Sequence, residues 1–83
     1  MAQHTREDIL QKVSETAADH FETPNLKLRD ETTAADVEGW DSIAHIQLMM
    51  RLEEEFDFRF STAEISSVRN VGELVDRIIH HTS

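Results

Sequence analysis

Trp40-Asp41-Ser42 sets a hydroxyl directly after an acid, and His45 follows one helical turn later. The first chemistry to weigh is a serine–histidine dyad. That needs an orienting acid and an oxyanion hole as well. The sequence places neither, and it has no strand-to-helix elbow of the G-x-S-x-G kind. The other histidines, His4, His20, His80 and His81, lack metal-binding i, i+4 pairs and H-E-x-x-H. His80-His81 reads as a solvated tail. The absence of cysteine removes thiolate catalysis, disulfides and Cys-type zinc or iron–sulfur sites. Glu53-Glu54-Glu55-Asp57 lacks the spacing of a calcium loop. What remains is Ser42 as an attachment point rather than a nucleophile.

The junction Gly39-Trp40-Asp41-Ser42-Ile43 joins a loop to a long apolar helical pattern, and Asp41 is suited to cap that helix. The helix is predicted over about 42–56. Its core stripe is Leu48, Leu52 and Phe56. Ile43, Ala44, Ile46, Met49 and Met50 add more apolar surface than one face can hold, so some of Ile43, Ile46 and Met50 should be exposed near Ser42. Methionine there suits a surface that meets several partners. Trp40 is expected to pack against helix ends and hold the loop that presents the serine.

Upstream, Thr5 and Asp8 form a capping box. Ile9, Val13, Ala17 and Phe21, flanked by Leu10, give an amphipathic helix over about 6–20, roughly 22 Å long. Pro24 is expected to end it, because the residue before a proline is pushed out of the helical region. The connection to Asp41 is about twenty residues, long for a compact domain, so Leu26, Leu28, Val37 and Trp40 should pin it to the helices. Downstream, Ser61 and Glu64 make another capping box before a short helix, about 62–67. Asn70, with Glu73 at the third helical position, opens a last helix over about 71–80, with an apolar face of Val71, Leu74, Val75, Ile78 and Ile79. His80 to Ser83 should fray. The expectation is an all-α fold, a four-helix bundle with three longer helices, a short third helix and a long first loop, in a single domain spanning 1–83.

Eighty-three residues allow one small core and little room for an enclosed substrate pocket. No apolar run approaches the ~18 residues of a membrane span, and Met1 to Asp8 has no signal-peptide core. A cytoplasmic monomer is the expectation. The formal net charge is −9, which disfavours nucleic acid and anionic lipid and attracts basic protein surfaces. From Asp30 to Asp57 nine acids face one base, Arg51, so that stretch carries −8. One face around Ser42 is therefore expected to be strongly negative. A helix N-terminus also favours a phosphodiester placed there.

The run Gly39-Trp40-Asp41-Ser42-Ile43-Ala44-His45-Ile46, followed by Leu52-Glu53-Glu54-Glu55-Phe56, resembles discrete acyl carrier proteins, whose attachment motif is D-S-L/I. Asn70-Val71-Gly72-Glu73-Leu74-Val75 is similar to their last helix. The resemblance implies that a phosphopantetheinyl transferase moves 4′-phosphopantetheine from coenzyme A to Ser42, with Asp41 supporting the transfer. The arm's thiol would then hold an acyl or aminoacyl group as a thioester, giving thiol chemistry to a chain without cysteine. Ile43, Ile46, Met50, Glu38, Glu53 and Glu54 would meet apolar and basic patches on partners: the transferase, a loading enzyme, and synthases or transferases. The family also implies helices that part to shelter a lipid chain. Ile43 and Ala44 depart from the leucine and acid usual in fatty acid carriers, and Asp57-Phe58-Arg59-Phe60-Ser61 replaces a glycine-containing turn. These departures favour a specialised pathway. A peptidyl or aminoacyl carrier stays open, as does an unmodified acidic interaction module.

Overall fold

In the computed structural model, which describes residues 5–82, the chain folds as a bundle of helices: α1 (Arg6–His20), α2 (Ser42–Phe56), α3 (Thr62–Ser67) and α4 (Val71–Thr82). A 3₁₀ turn, Ala34–Asp36, interrupts the first loop, and no strand forms among the described residues. α1 packs against both α2 and α4. The all-α architecture with a long first loop and a short third helix is the one expected.

The helix starts follow their caps. Thr5 Oγ1 accepts the Asp8 N–H at 3.1 Å while Asp8 Oδ2 accepts the Thr5 N–H at 3.3 Å. Ser61 and Glu64 exchange the same pair of bonds, at 3.1 and 2.9 Å. Each satisfies donors that a helix N-terminus otherwise leaves unpaired. At α4, Asn70 Oδ1 accepts the Glu73 N–H at 2.9 Å, but the Glu73 carboxylate reaches one residue further back, to the Arg69 N–H.

The end of α1 has a different cause from the proline rule. Glu22 adopts φ 55°, the Thr23 N–H bonds the Ala18 carbonyl at 2.8 Å, and the Glu22 N–H bonds that of Asp19 at 3.3 Å. This is a Schellman stop with glutamate in the left-handed position. Pro24 only succeeds a helix that has already closed. The C-terminal end also differs from expectation: α4 continues through His81 to Thr82. The His81 ring stacks on Phe58 with centroids 5.0 Å apart, and its Nε2 lies 2.9 Å from Glu64 Oε2. These contacts pack the last turn, and residues 80–82 are helical. Ser83 lies outside the described residues.

The core joins Ile9, Val13 and Ala17 of α1 to Leu48, Met49 and Leu52 of α2 and to Leu74, Val75 and Ile78 of α4. Met49, which the Leu48-Leu52-Phe56 stripe left aside, is fully buried, while Phe56 packs at the margin. The first loop is tied down as its apolar residues require. Leu28, Val37 and Trp40 are buried, and the Leu28 N–H donates to Ser14 Oγ at 3.1 Å. Its carbonyls also cap α4: Thr32 O accepts the Val71 N–H at 2.9 Å, and Asp30 O accepts the Gly72 N–H at 2.8 Å. Gly72 makes that approach possible, since a Cβ there would sit 3.1 Å from the Asp30 carbonyl oxygen.

Candidate functional site at the start of helix α2

Gly39 turns the chain into the site at φ 88°, a backbone angle that favours glycine. The Trp40 N–H closes the turn onto the Val37 carbonyl at 3.2 Å. Trp40 then drops into the molecule, its ring 5.5 Å from that of Phe21. Asp41 caps α2: its Oδ1 accepts the Ala44 N–H at 2.8 Å, and its carbonyl accepts the His45 N–H at 2.8 Å. Ser42 is thereby fixed as the first helical residue, exposed to solvent. First-turn amides lack intrahelical acceptors and point outward, and the positive end of the helix dipole lies beside the hydroxyl.

His45 does not serve Ser42 as a base. Its Nδ1 accepts the Trp40 indole N–H at 3.1 Å, and its Nε2–H donates to the Ile65 carbonyl at 2.9 Å. The indole is a donor only, so it fixes the neutral tautomer of the ring. The two rings stack with centroids 6.1 Å apart. Both nitrogens are committed to linking the first loop, α2 and α3. This bridge escaped sequence reasoning, which weighed His45 only against Ser42. The cue available was an indole donor five residues before an imidazole, across a helix start.

A cleft of about 800 Å³ opens beside Ser42, between the first loop, α2, α3 and the start of α4. Trp40, His45, Ile46, Ile65 and Leu74 line it with Ser42. On the outer side of α2, Ile43 (69%), Ile46 (51%) and Met50 (57%) are exposed, where the surplus of apolar residues predicts them. Glu38 and Glu54 are exposed as well. Glu53 differs: it is half-buried, and its Oε2 accepts the Phe60 N–H at 2.7 Å. Two further acids expected in the negative field are partly compensated, Asp30 by Arg6 at 3.1 Å and Glu55 by Lys12 at 3.1 Å. Among the described residues, no three His, Asp or Glu converge to hold a metal ion.

The family model of the phosphopantetheine attachment site matches residues 11–78 of the chain. The chain belongs to the acyl carrier protein family. An acyl carrier protein of Clostridium acetobutylicum is 34% identical over 74 residues, which cover 89% of this chain and 96% of the relative. One of Rubrobacter xylanophilus is 32% identical over 76 residues, covering 92% and 94%. The solution structure of the holo acyl carrier protein of Geobacter metallireducens superposes with a TM-score of 0.82 at 29% identity, covering 88% of this chain and 84% of that one. The protein is therefore a non-catalytic, phosphopantetheine-dependent carrier that holds a thioester-linked intermediate for partner enzymes.

The residues at the start of α2 fit the prosthetic group. An exposed hydroxyl can take a phosphodiester, unpaired helix N-terminal amides favour its charge, and the adjoining cleft leaves space beside it. When bound, the group supplies the thiol that the cysteine-free chain lacks. The chain's own contribution is to hold Ser42 outward on a capped helix end and to surround it with an apolar and acidic surface. No helix of the described residues is long and apolar enough to cross a membrane.

Proposed function

We propose that Ser42 carries the 4′-phosphopantetheine arm and that Asp41 both caps α2 and supports the modification. The single observation that carries this reading is the exposed Ser42 hydroxyl at the first position of α2, held there by the Asp41 cap within the matched attachment-site region. In the transfer the serine oxygen bonds to the pantetheine-side phosphorus of coenzyme A. The pyrophosphate bond breaks, adenosine 3′,5′-bisphosphate leaves, and the serine proton passes to the transferase.

Residues 1–83 act as one carrier domain in this reading, a monomer in the cytoplasm. Ile43, Ile46 and Met50, with Glu38, Glu53 and Glu54, form the docking surface for the transferase, a loading enzyme, and synthases or transferases with basic patches. Mixed apolar and acidic surface supports that role, because charge steers the encounter while apolar contact holds it. Ile43, Ala44 and His45 support a cargo from a specialised pathway.

Intact-mass measurement tests the attachment. Incubation with coenzyme A and a broad-specificity transferase should add one phosphopantetheine, and Ser42→Ala should add none. Absence of an adduct with several transferases, or an adduct that survives in Ser42→Ala, would refute the assignment.

A further inference from the structure

The cleft beside Ser42 meets a hydrogen-bonded wall at the seam between α2 and α3. His45 spans that seam: one nitrogen holds Trp40, the residue two before Ser42, and the other holds the Ile65 carbonyl. Ile65 lies in the last turns of α3, where carbonyls lack intrahelical partners. α3 needs such a tie. It has six residues, none of them fully buried; Ile65 packs partly buried against the core, and Glu64 pairs with His81 of α4. Leu48 and Val75, outside the cleft lining, have 0% exposure.

The geometry points to His45 as a specificity-determining residue, a latch across the α2–α3 seam that keeps cargo in the outer cleft and closes the core to long alkyl chains. The inference rests on Ser42 carrying the arm, since only cargo tethered there meets this cleft. An alkyl chain passing between α2 and α3 must separate the Nε2–H from the Ile65 carbonyl. Both groups are then left facing hydrocarbon without partners, which costs more than the bond's net contribution. A short or polar acyl group needs no shelter from water and leaves the latch closed. The Trp40 indole sharpens the effect: moving the ring also strips its donor of an acceptor, so the two bonds resist displacement together.

Acetyl and octanoyl forms of the holo carrier test the latch. Intact mass first establishes a single adduct that Ser42→Ala lacks, so failure of the attachment reading shows in the mass spectrum, independently of the latch. Methyl NMR then monitors Leu48 and Val75. In the wild type their signals should coincide between the two forms, with no nuclear Overhauser contact to the octanoyl chain and an unmoved Trp40 indole N–H signal. In His45→Ala the octanoyl form should shift the Val75 methyls and melt above the acetyl form. His45→Gln, whose amide N–H can reach the Ile65 carbonyl, should restore the wild-type pattern. Octanoyl contacts to Leu48 or Val75 in the wild type would overturn the proposal, and this measurement decides even where His45→Ala fails to fold. A folded His45→Ala carrier whose two forms remain alike would overturn it too.

Discussion

Glu53 Oε2 accepts the backbone N–H of Phe60 at 2.7 Å, tying the body of α2 to the turn that precedes α3. Its neighbour Glu54 is exposed. Two adjacent acids thus have separable roles. Glu53→Gln keeps an acceptor but loses the charge assistance, and Glu53→Lys leaves the Phe60 N–H unpaired, at a cost of about 1–3 kcal/mol. Glu54→Lys should leave the melting temperature within experimental scatter. It should instead slow phosphopantetheine transfer at low ionic strength, and the difference from wild type should shrink as salt rises toward 1 M, where the screening length falls to about 3 Å. Melting curves and initial transfer rates against salt separate the two. A salt-independent rate for Glu54→Lys would remove electrostatic steering.

Glu64 gives the acid side of the stability profile a predictable sign. Its carboxylate is held below the usual range, chiefly by the Ser61 N–H bond and then by His81, against an opposing contribution from burial. A carboxylate depressed in the folded state stabilises fully above its unfolded pKa, near 4.3. That contribution is lost as pH falls through the lower folded value. Glu64→Gln should therefore melt below wild type at pH 7, with the gap closing below pH ~4. A gap that stays constant down to acid pH would show that the amide replaces the carboxylate without any charge effect.

Much of this site is written locally. Thr5-Asp8, Asp41 and Ser61-Glu64 cap helices within three residues of themselves, so their spacing is legible without tertiary knowledge. The exposure of Ile43, Ile46 and Met50 follows from counting apolar residues against the width of one helix face. Illegible features depend on distant partners. Asp30 and Thr32 cap α4 from some forty residues upstream through carbonyls, which carry no side-chain signature. His45 finds Ile65 and His81 finds Glu64 and Phe58 only once α3 is placed. The stop of α1 at Glu22 was obscured by Pro24, a stronger local signal that acts two residues too late.

The contact between the first loop and α4 makes Gly72 sensitive to a single methyl group. A Cβ there would lie 3.1 Å from the Asp30 oxygen, 3.2 Å from the Asp30 Cβ and 3.3 Å from Asn70 Oδ1. Two of these neighbours belong to the loop residue that accepts the Gly72 N–H, so relief requires the loop to move. Gly72→Ala should destabilise by about 1–3 kcal/mol despite alanine's better helix propensity. Hydrogen exchange at the Gly72 and Val71 amides should accelerate. A melting temperature equal to or above wild type would mean that the loop yields without loss.

Asp41 combines a cap with a proposed role in modification, and two substitutions pull these apart. Asp41→Ala loses the 2.8 Å bond from the Ala44 N–H and should cost about 1 kcal/mol. Asp41→Asn retains an acceptor oxygen, so α2 should start at Ser42 with nearly wild-type stability. The asparagine nevertheless lacks the charge that would help position the transferase's metal and the cofactor phosphate. Transfer to Ser42 should therefore fall strongly in both variants, although only Asp41→Ala should lower the melting temperature. If Asp41→Asn is modified at the wild-type rate, Asp41 acts through the cap alone, and the acid preceding Ser42 is there to hold the helix end that presents the hydroxyl.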